Sequence, residues 1–432
     1  AGQGREAEAG AVVAVDVKTG EVLVSATYPS YNQESYNADY NALAADPLNP
    51  LFDRALQGQY TPGSIFTPAV SVAGLAEGVI TPETHLFCGH VYTFFKDYQP
   101  TCLGSHGDIN LTRALSVSCN IFFYDTGRQL GIERINRYAS QLGLGQPTGI
   151  ELPEASGSLN DPDSEQPGDV LQASIGQLNN RFTPVQLANY AATIANRGRR
   201  MKLTFLKSVD SFDGGENIYT HTPEEAGRVE ADRAVFEAVI DGMVTASRTG
   251  SAAATFGSYP LDVAAKTGTP EVGLGQLPNS TFICFAPADD PQIAVAVVIE
   301  KGWHGYTGAP VARDIFDAYF YNDPPAEELL PQQAPAEEGP AEEPGVDGQP
   351  NAPSAGESEP APPAPVPPPA TPILPAAGQA PEEEPGQQEP APQEAPSEPA
   401  AAEVDGPIYH PEDQKPTAEE ENQGVAVIAR NE

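Results

Sequence analysis

The sequence predicts an α/β (α+β) domain: a central antiparallel sheet built from both ends of the domain, flanked by helices, with a helical subdomain inserted between. Three observations predict it. Two β-rich runs, 11–17 and 21–28, open the chain, and three more, 263–269, 281–285 and 293–300, come after residue 261. The stretches between them carry mainly helical periodicity. Strands divided in this way bury their apolar faces most simply by pairing into one sheet.

Each element follows from its residues. Lys18-Thr19-Gly20 between the first two runs reads as a tight hairpin turn. Residues 32–49 are rich in Asn, Asp and Ala with weak periodicity, and read as loop. Pro62-Gly63 breaks the chain, and an apolar stretch (Val70, Val72, Ala73, Leu75, Ala76) runs to Gly78. That pattern predicts a buried helix starting near Ser64 and stopped by glycine, with Pro68 placed to bend it. Residues 110–130 carry a second helical pattern, interrupted at 116–120; 132–142, 183–196 and 232–245 carry others. The run 293–300 is almost continuously apolar, as in a central strand, and 309–321 closes the domain as an amphipathic helix.

The charge is uneven. Of 45 prolines, 26 lie at or beyond Asp323, with 24 acidic and 2 basic residues, so that stretch carries 2 − 24 = −22 of the total −38. Such a composition has too little apolar side chain to offset its ordering entropy. The expected division is therefore a domain at 1–322 and a disordered acidic Pro/Ala/Glu-rich tail at 323–432. The remaining 20 − 36 = −16 on the body argues against nucleic acid as partner. No run of about 18 apolar residues occurs. The four cysteines, Cys88, Cys102, Cys119 and Cys284, form no CxxC pair, and the six histidines are scattered. No metal site and no cofactor is expected from that spacing. Cys88 and Cys102 flank a turn-rich segment, and a disulfide and two free thiols are equally open for them.

Three short motifs occur in order: Ser64-Ile65-Phe66-Thr67, Ser118-Cys119-Asn120 and Lys266-Thr267-Gly268-Thr269. Each alone is weak, and the turn Lys18-Thr19-Gly20 shows how easily the third arises. Their order, spacing and context make the trio specific: a serine at a helix start, a serine in a helix break, a lysine on a strand. Together they resemble the SxxK, SxN and KTG signature of the penicillin-binding transpeptidases and serine β-lactamases. The resemblance extends to Arg54-Ala55-Leu56-Gln57-Gly58, Thr148-Gly149-Ile150-Glu151-Leu152-Pro153, Ser174-Ile175-Gly176-Gln177, Phe182-Thr183-Pro184-Val185-Gln186 and Gly308-Ala309-Pro310-Val311-Ala312. It covers nearly all of 10–322 and is nearest to the monofunctional class B penicillin-binding proteins.

The resemblance implies the serine β-lactamase/transpeptidase-like fold and a D,D-transpeptidase-like function in peptidoglycan cross-linking. Ser64 would attack the D-Ala-D-Ala amide of a stem peptide, or a β-lactam in its place. Ser118 would shuttle protons, Asn120 would bond the substrate amide, and Lys266 would place positive charge near its carboxylate. Thr267, Gly268 and Thr269 would form the substrate-binding strand, and the N–H groups of Ser64 and Thr269 an oxyanion hole. Implied partners are stem peptides, β-lactams and cell-division or elongation machinery. The implied location is the extracytoplasmic face of the bacterial cytoplasmic membrane. One departure stands out: the family's general-base lysine, three residues after the serine, is Thr67 here. A threonine hydroxyl has no useful basicity near neutral pH, so an impaired enzyme is expected, or alternatively a non-catalytic relative that binds stem peptides or cell-wall machinery.

Overall fold

The computed structural model describes residues 7–164, 166–273 and 275–321; the stretch 323–432, read from sequence as a tail, lies outside them. The chain opens with strands β1 (Ala9–Asp16) and β2 (Val22–Tyr28). Helices α1 (Tyr36–Ala45) and α2 (Thr67–Ala76) follow, then the short strands β3 (Leu86–Cys88) and β4 (Gly107–Ile109). Helices α3 (Leu111–Val117), α4 (Asn120–Leu130), α5 (Ile132–Gln141), α6 (Pro167–Ser174) and α7 (Pro184–Ala195) come next. Two small hairpin pairs are drawn from β5 (Arg199–Met201), β6 (Ser208–Asp210), β7 (Asn217–Thr220) and β8 (Glu225–Arg228). Then come α8 (Arg233–Arg248), the single turn α9 (Ala253–Phe256), strands β9 (Ala264–Gly268), β10 (Ser280–Ala286) and β11 (Ile293–Glu300), and α10 (Ala309–Tyr321).

The central sheet has the order β2-β1-β11-β10-β9, every neighbour antiparallel. It is assembled from both ends of the domain, as the split of the β-rich runs predicts. The apolar run of β11 has a physical reason: both faces are buried. Ala294, Ala296 and Val298 join the larger core cluster with Phe66, Tyr190 and Phe236. Ile293, Val295 and Val297 point the other way, into a smaller core with Phe256, Tyr259 and Phe316. Since alternate side chains of a strand face opposite sides, neither face tolerates polar residues there.

Several boundaries differ from the sequence reading. Residues 36–45 form α1 instead of loop, with no buried residue, so no apolar stripe marks it. Ser64 lies in a 3-10 turn, Gly63–Phe66, and the α-helix begins only at Thr67. Pro68 therefore occupies the first turn of α2, where its missing N–H is no loss, and starts the helix instead of bending it. The predicted interruption at 116–120 is present: α3 ends at Ser118, which is left-handed at φ 56°, ψ 52°.

Candidate active site

The three motifs meet in one cleft of about 790 Å³, lined by Ser64, Ser118, Asn120, Thr267 and Thr269 among others. Lys266 lies fully buried beneath it, and Thr67 is also buried. The two other cavities described contain none of these residues.

The turn bearing Ser64 is held by backbone contacts on two sides. Gly63 N–H donates to Gly176 O at 3.0 Å. A Cβ at Gly176, where φ is +76°, would stand 2.2 Å from Gly63 O, so only glycine fits. On the other side, Thr281 Oγ1 of β10 donates to Pro62 O at 2.7 Å. Gly268 of β9 admits that approach, because a Cβ there would lie 2.3 Å from Thr281 Oγ1 and 2.7 Å from Pro62 O. Behind the turn, Tyr190 of α7 accepts from Ala69 N–H at 3.0 Å and donates to Ile65 O at 3.2 Å. It thereby satisfies an amide that the start of α2 leaves without an intrahelical partner.

Within the cleft, Lys266 Nζ donates to Ser118 Oγ at 3.0 Å and to Thr267 O at 2.9 Å. Among the described residues it has no carboxylate partner, and burial pulls its pKa down to about 7. Ser118 is a non-glycine residue in the left-handed region, a conformation that costs free energy and concentrates at functional sites. Thr267 Oγ1 donates to Ser251 Oγ at 2.8 Å, and Thr269 Oγ1 accepts from Gly305 N–H at 2.9 Å. Asn120 Nδ2 reaches Thr101 O at 3.4 Å. Among the cleft-lining residues Glu271 is the sole carboxylate, and there is no Lys or Arg.

Thr67 does not imitate the lysine that the SxxK resemblance leads one to expect at its position. Its hydroxyl donates to Ser64 O at 2.8 Å, a bond within its own turn. Among the described residues, Ser64 Oγ makes no hydrogen bond. All eight site residues read from sequence thus lie in or directly beneath one region. The reading missed Tyr190, Ser251 and Gly305, which act through single hydrogen bonds or close backbone approach and leave no short pattern.

It also missed a cluster. Cys88, Cys102, His106 and Cys119 bring their ligand atoms within 4.8 Å of one another. The Sγ atoms of Cys88 and Cys102 lie 3.4 and 3.6 Å from His106 Nδ1, and Cys102 and Cys119 Sγ are 3.9 Å apart. A tetrahedral Zn²⁺ with Zn–S of about 2.3 Å and Zn–N of about 2.0 Å spaces its ligands roughly 3.5–3.8 Å apart, so the donor set fits that ion. Cys119, and behind it Gly104 and Asn120 N–H, pull the Cys102 thiol below its ordinary range, as suits a metal-binding thiolate. The four side chains thus form a candidate metal site that the spacing did not suggest. The spacing Cys-x13-Cys-x3-His-x12-Cys hides the cluster, because β3, β4 and the break between α3 and α4 converge only in the fold. All four cysteines are free, so Cys88 and Cys102 form no disulfide. Cys119 stands between Ser118 and Asn120, and Asn120 N–H donates to Cys102 Sγ at 3.3 Å. An ion held there would cross-link the 89–106 loop to the break that carries Ser118.

Residues 10–320 match the family model described as penicillin binding protein transpeptidase domain. Peptidoglycan D,D-transpeptidase MrdA of Acinetobacter baumannii is 32% identical over 351 residues, covering 71% of this chain and 50% of that protein. The chain thus spans about half the length of that curated relative. Among solved structures, Pseudomonas aeruginosa PBP2 in complex with WCK 5153 aligns with a TM-score of 0.65 at 30% identity, covering 75% of this chain and 77% of that one. The penicillin G acyl-enzyme complex of Mycobacterium tuberculosis penicillin-binding protein A aligns with a TM-score of 0.64 at 29% identity, covering 72% and 74%. With the match spanning 10–320, the chain belongs to the penicillin-binding protein transpeptidase domain family.

Proposed function

We propose that this domain is a serine acyltransferase of peptidoglycan cross-linking, slowed by Thr67. Ser64 Oγ attacks the carbonyl of the D-Ala-D-Ala amide, and the terminal D-Ala leaves as the amine. The amine of a second stem peptide then resolves the ester and forms the cross-link. A β-lactam enters the same site and stays attached as the ring-opened ester. The N–H groups of Ser64 and Thr269 stabilise the oxyanion, Asn120 orients the donor amide, and Thr267, Gly268 and Thr269 hold its carboxylate at the strand end above Lys266. The observation that carries this reading is the convergence of Ser64, the Ser118–Lys266 pair and the Thr267–Thr269 strand end on one cleft.

The reading places the domain outside the cytoplasmic membrane with stem peptides, β-lactams and cell-wall elongation machinery as partners. No helix among the described residues is long and apolar enough to cross a membrane. The second reading, a domain that binds stem peptides without turning them over, is favoured by one observation: the Thr67 hydroxyl is committed to Ser64 O and gives Ser64 Oγ no base.

Intact mass after exposure to a β-lactam separates the two. The first reading expects one drug mass on the parent and none on Ser64→Ala. Thr67→Lys should acylate faster by roughly 10²–10⁴-fold, the worth of a positioned base. Acylation of Thr67→Lys alone supports the binding reading, and acylation of neither folded protein contradicts both assignments of Ser64.

A further inference from the structure

We infer that Lys266, acting through Ser118, is the proton acceptor for Ser64 in this chain. The inference rests on the acyl-transfer reading above and assigns the base that this reading leaves open. Thr67 is excluded by chemistry and by its bond to Ser64 O. Among the described residues the cleft walls carry no lysine or arginine, and the buried amine beneath them is Lys266. Its Nζ stands 3.0 Å from Ser118 Oγ, and Ser118 shares the cleft with Ser64. Ser118 keeps its place there with a left-handed backbone, at a cost that the surrounding structure sustains.

Among the described residues the amine has no compensating carboxylate, so its neutral form is well populated at neutral pH, with a pKa of about 7. A neutral amine accepts a proton; an ordinary lysine at pH 7 does not. In the step, neutral Lys266 takes the Ser118 hydroxyl proton while Ser118 Oγ takes that of Ser64. Ser64 Oγ forms the ester bond, and the C–N bond of the amide or lactam breaks. The leaving nitrogen takes its proton from Ser118, which is reprotonated by the Lys266 ammonium. Lys266 ends neutral, and no other reactant is consumed.

Other titratable groups near the cleft are His304 and Tyr306 after β11, Glu271 after β9, Tyr124 on α4, and Cys102 and Cys119 beyond Ser118. On α8, Arg248 is turned away to Asp262. None bonds Lys266 Nζ.

The test is the β-lactam acylation rate of the full chain, by stopped intact mass between pH 5.5 and 9. Parent, Lys266→Arg and Ser118→Ala are compared, each also in a Thr67→Lys background. The inference expects the parent rate to rise with pH through a midpoint near 7. Lys266→Arg keeps the charge but cannot deprotonate, and should lose roughly 10²-fold together with the pH rise. A rise produced by His304 or a cysteine would survive that substitution. Ser118→Ala, at a partly exposed position, should show the same loss and serves if Lys266→Arg unfolds. In the Thr67→Lys background both losses should shrink to about tenfold or less, since a direct base is then present. Equal losses in both backgrounds, or an unchanged rate in Lys266→Arg, would each overturn the inference and leave the acyl-transfer assignment standing. A parent that never acylates while Thr67→Lys does would overturn the inference and favour the binding reading. Failure of every folded variant, Thr67→Lys included, would overturn that assignment too.

Discussion

At the scale of single residues, two buried groups carry most of what can be checked. Lys266 is buried without a counter-charge among the described residues, and its pKa falls from 10.5 to about 7. Between those values the unfolded chain holds a proton that the folded chain lacks. Stability therefore rises with pH across that window, at up to about 1.4 kcal/mol per unit, and is flat from this group outside it. Urea unfolding at pH 7 and pH 10 should show the rise in the parent, and a Lys266→Met variant should lack this contribution. Tyr190 makes a second case. Tyr190→Phe leaves Ala69 N–H and Ile65 O without their partner in a dry interior, and should cost about 1–3 kcal/mol in the same assay. The sequence shows the residue types of the motifs but not these dependencies. Ser64, Ser118 and Lys266 were legible because short patterns mark them; Tyr190 was not, because it sits in an ordinary apolar helix stripe.

At the scale of elements, the legible parts are those whose burial repeats with a period. The continuous apolar run of β11 marks a strand buried on both faces, and the Thr183/Gln186 capping box marks the start of α7. Helix α1 was read as loop because all its side chains avoid the core. The short pairs from β3 to β8 contain three or four residues each, too few to show alternation. The Cys88/Cys102/His106/Cys119 cluster was invisible for another reason: its ligands come from separate segments that only the fold brings together. The chain purified without chelator should carry about one equivalent of zinc by elemental analysis. Stripping it should lower the melting temperature and loosen the 89–106 loop in hydrogen exchange, and Cys119→Ser should weaken metal retention. A metal-free chain with unchanged melting would contradict the fit. Gly176→Ala tests the support of the nucleophile turn from α6: it forces a Cβ to 2.2 Å from Gly63 O at a positive φ. It should slow acylation as well as destabilise the fold.

At the scale of the whole molecule, the division at residue 322 was read from composition, and the family match over 10–320 falls inside it. Since a domain with its own core folds alone, removing 323–432 should leave the melting temperature and the acylation rate of the body unchanged. The fold was legible from the order of strands and helices, because it depends on hundreds of residues that agree. The chemistry depends on a few, and one of them, Thr67, stands where the SxxK pattern has lysine. The most direct measurement is therefore peptide mapping of the full chain after prolonged exposure to a β-lactam. The account predicts one drug-mass adduct, on the peptide containing Ser64 and on that residue. An adduct on another residue, or none on a folded chain in which Thr67→Lys becomes labelled at Ser64, would contradict the claim that this domain still forms an acyl-enzyme.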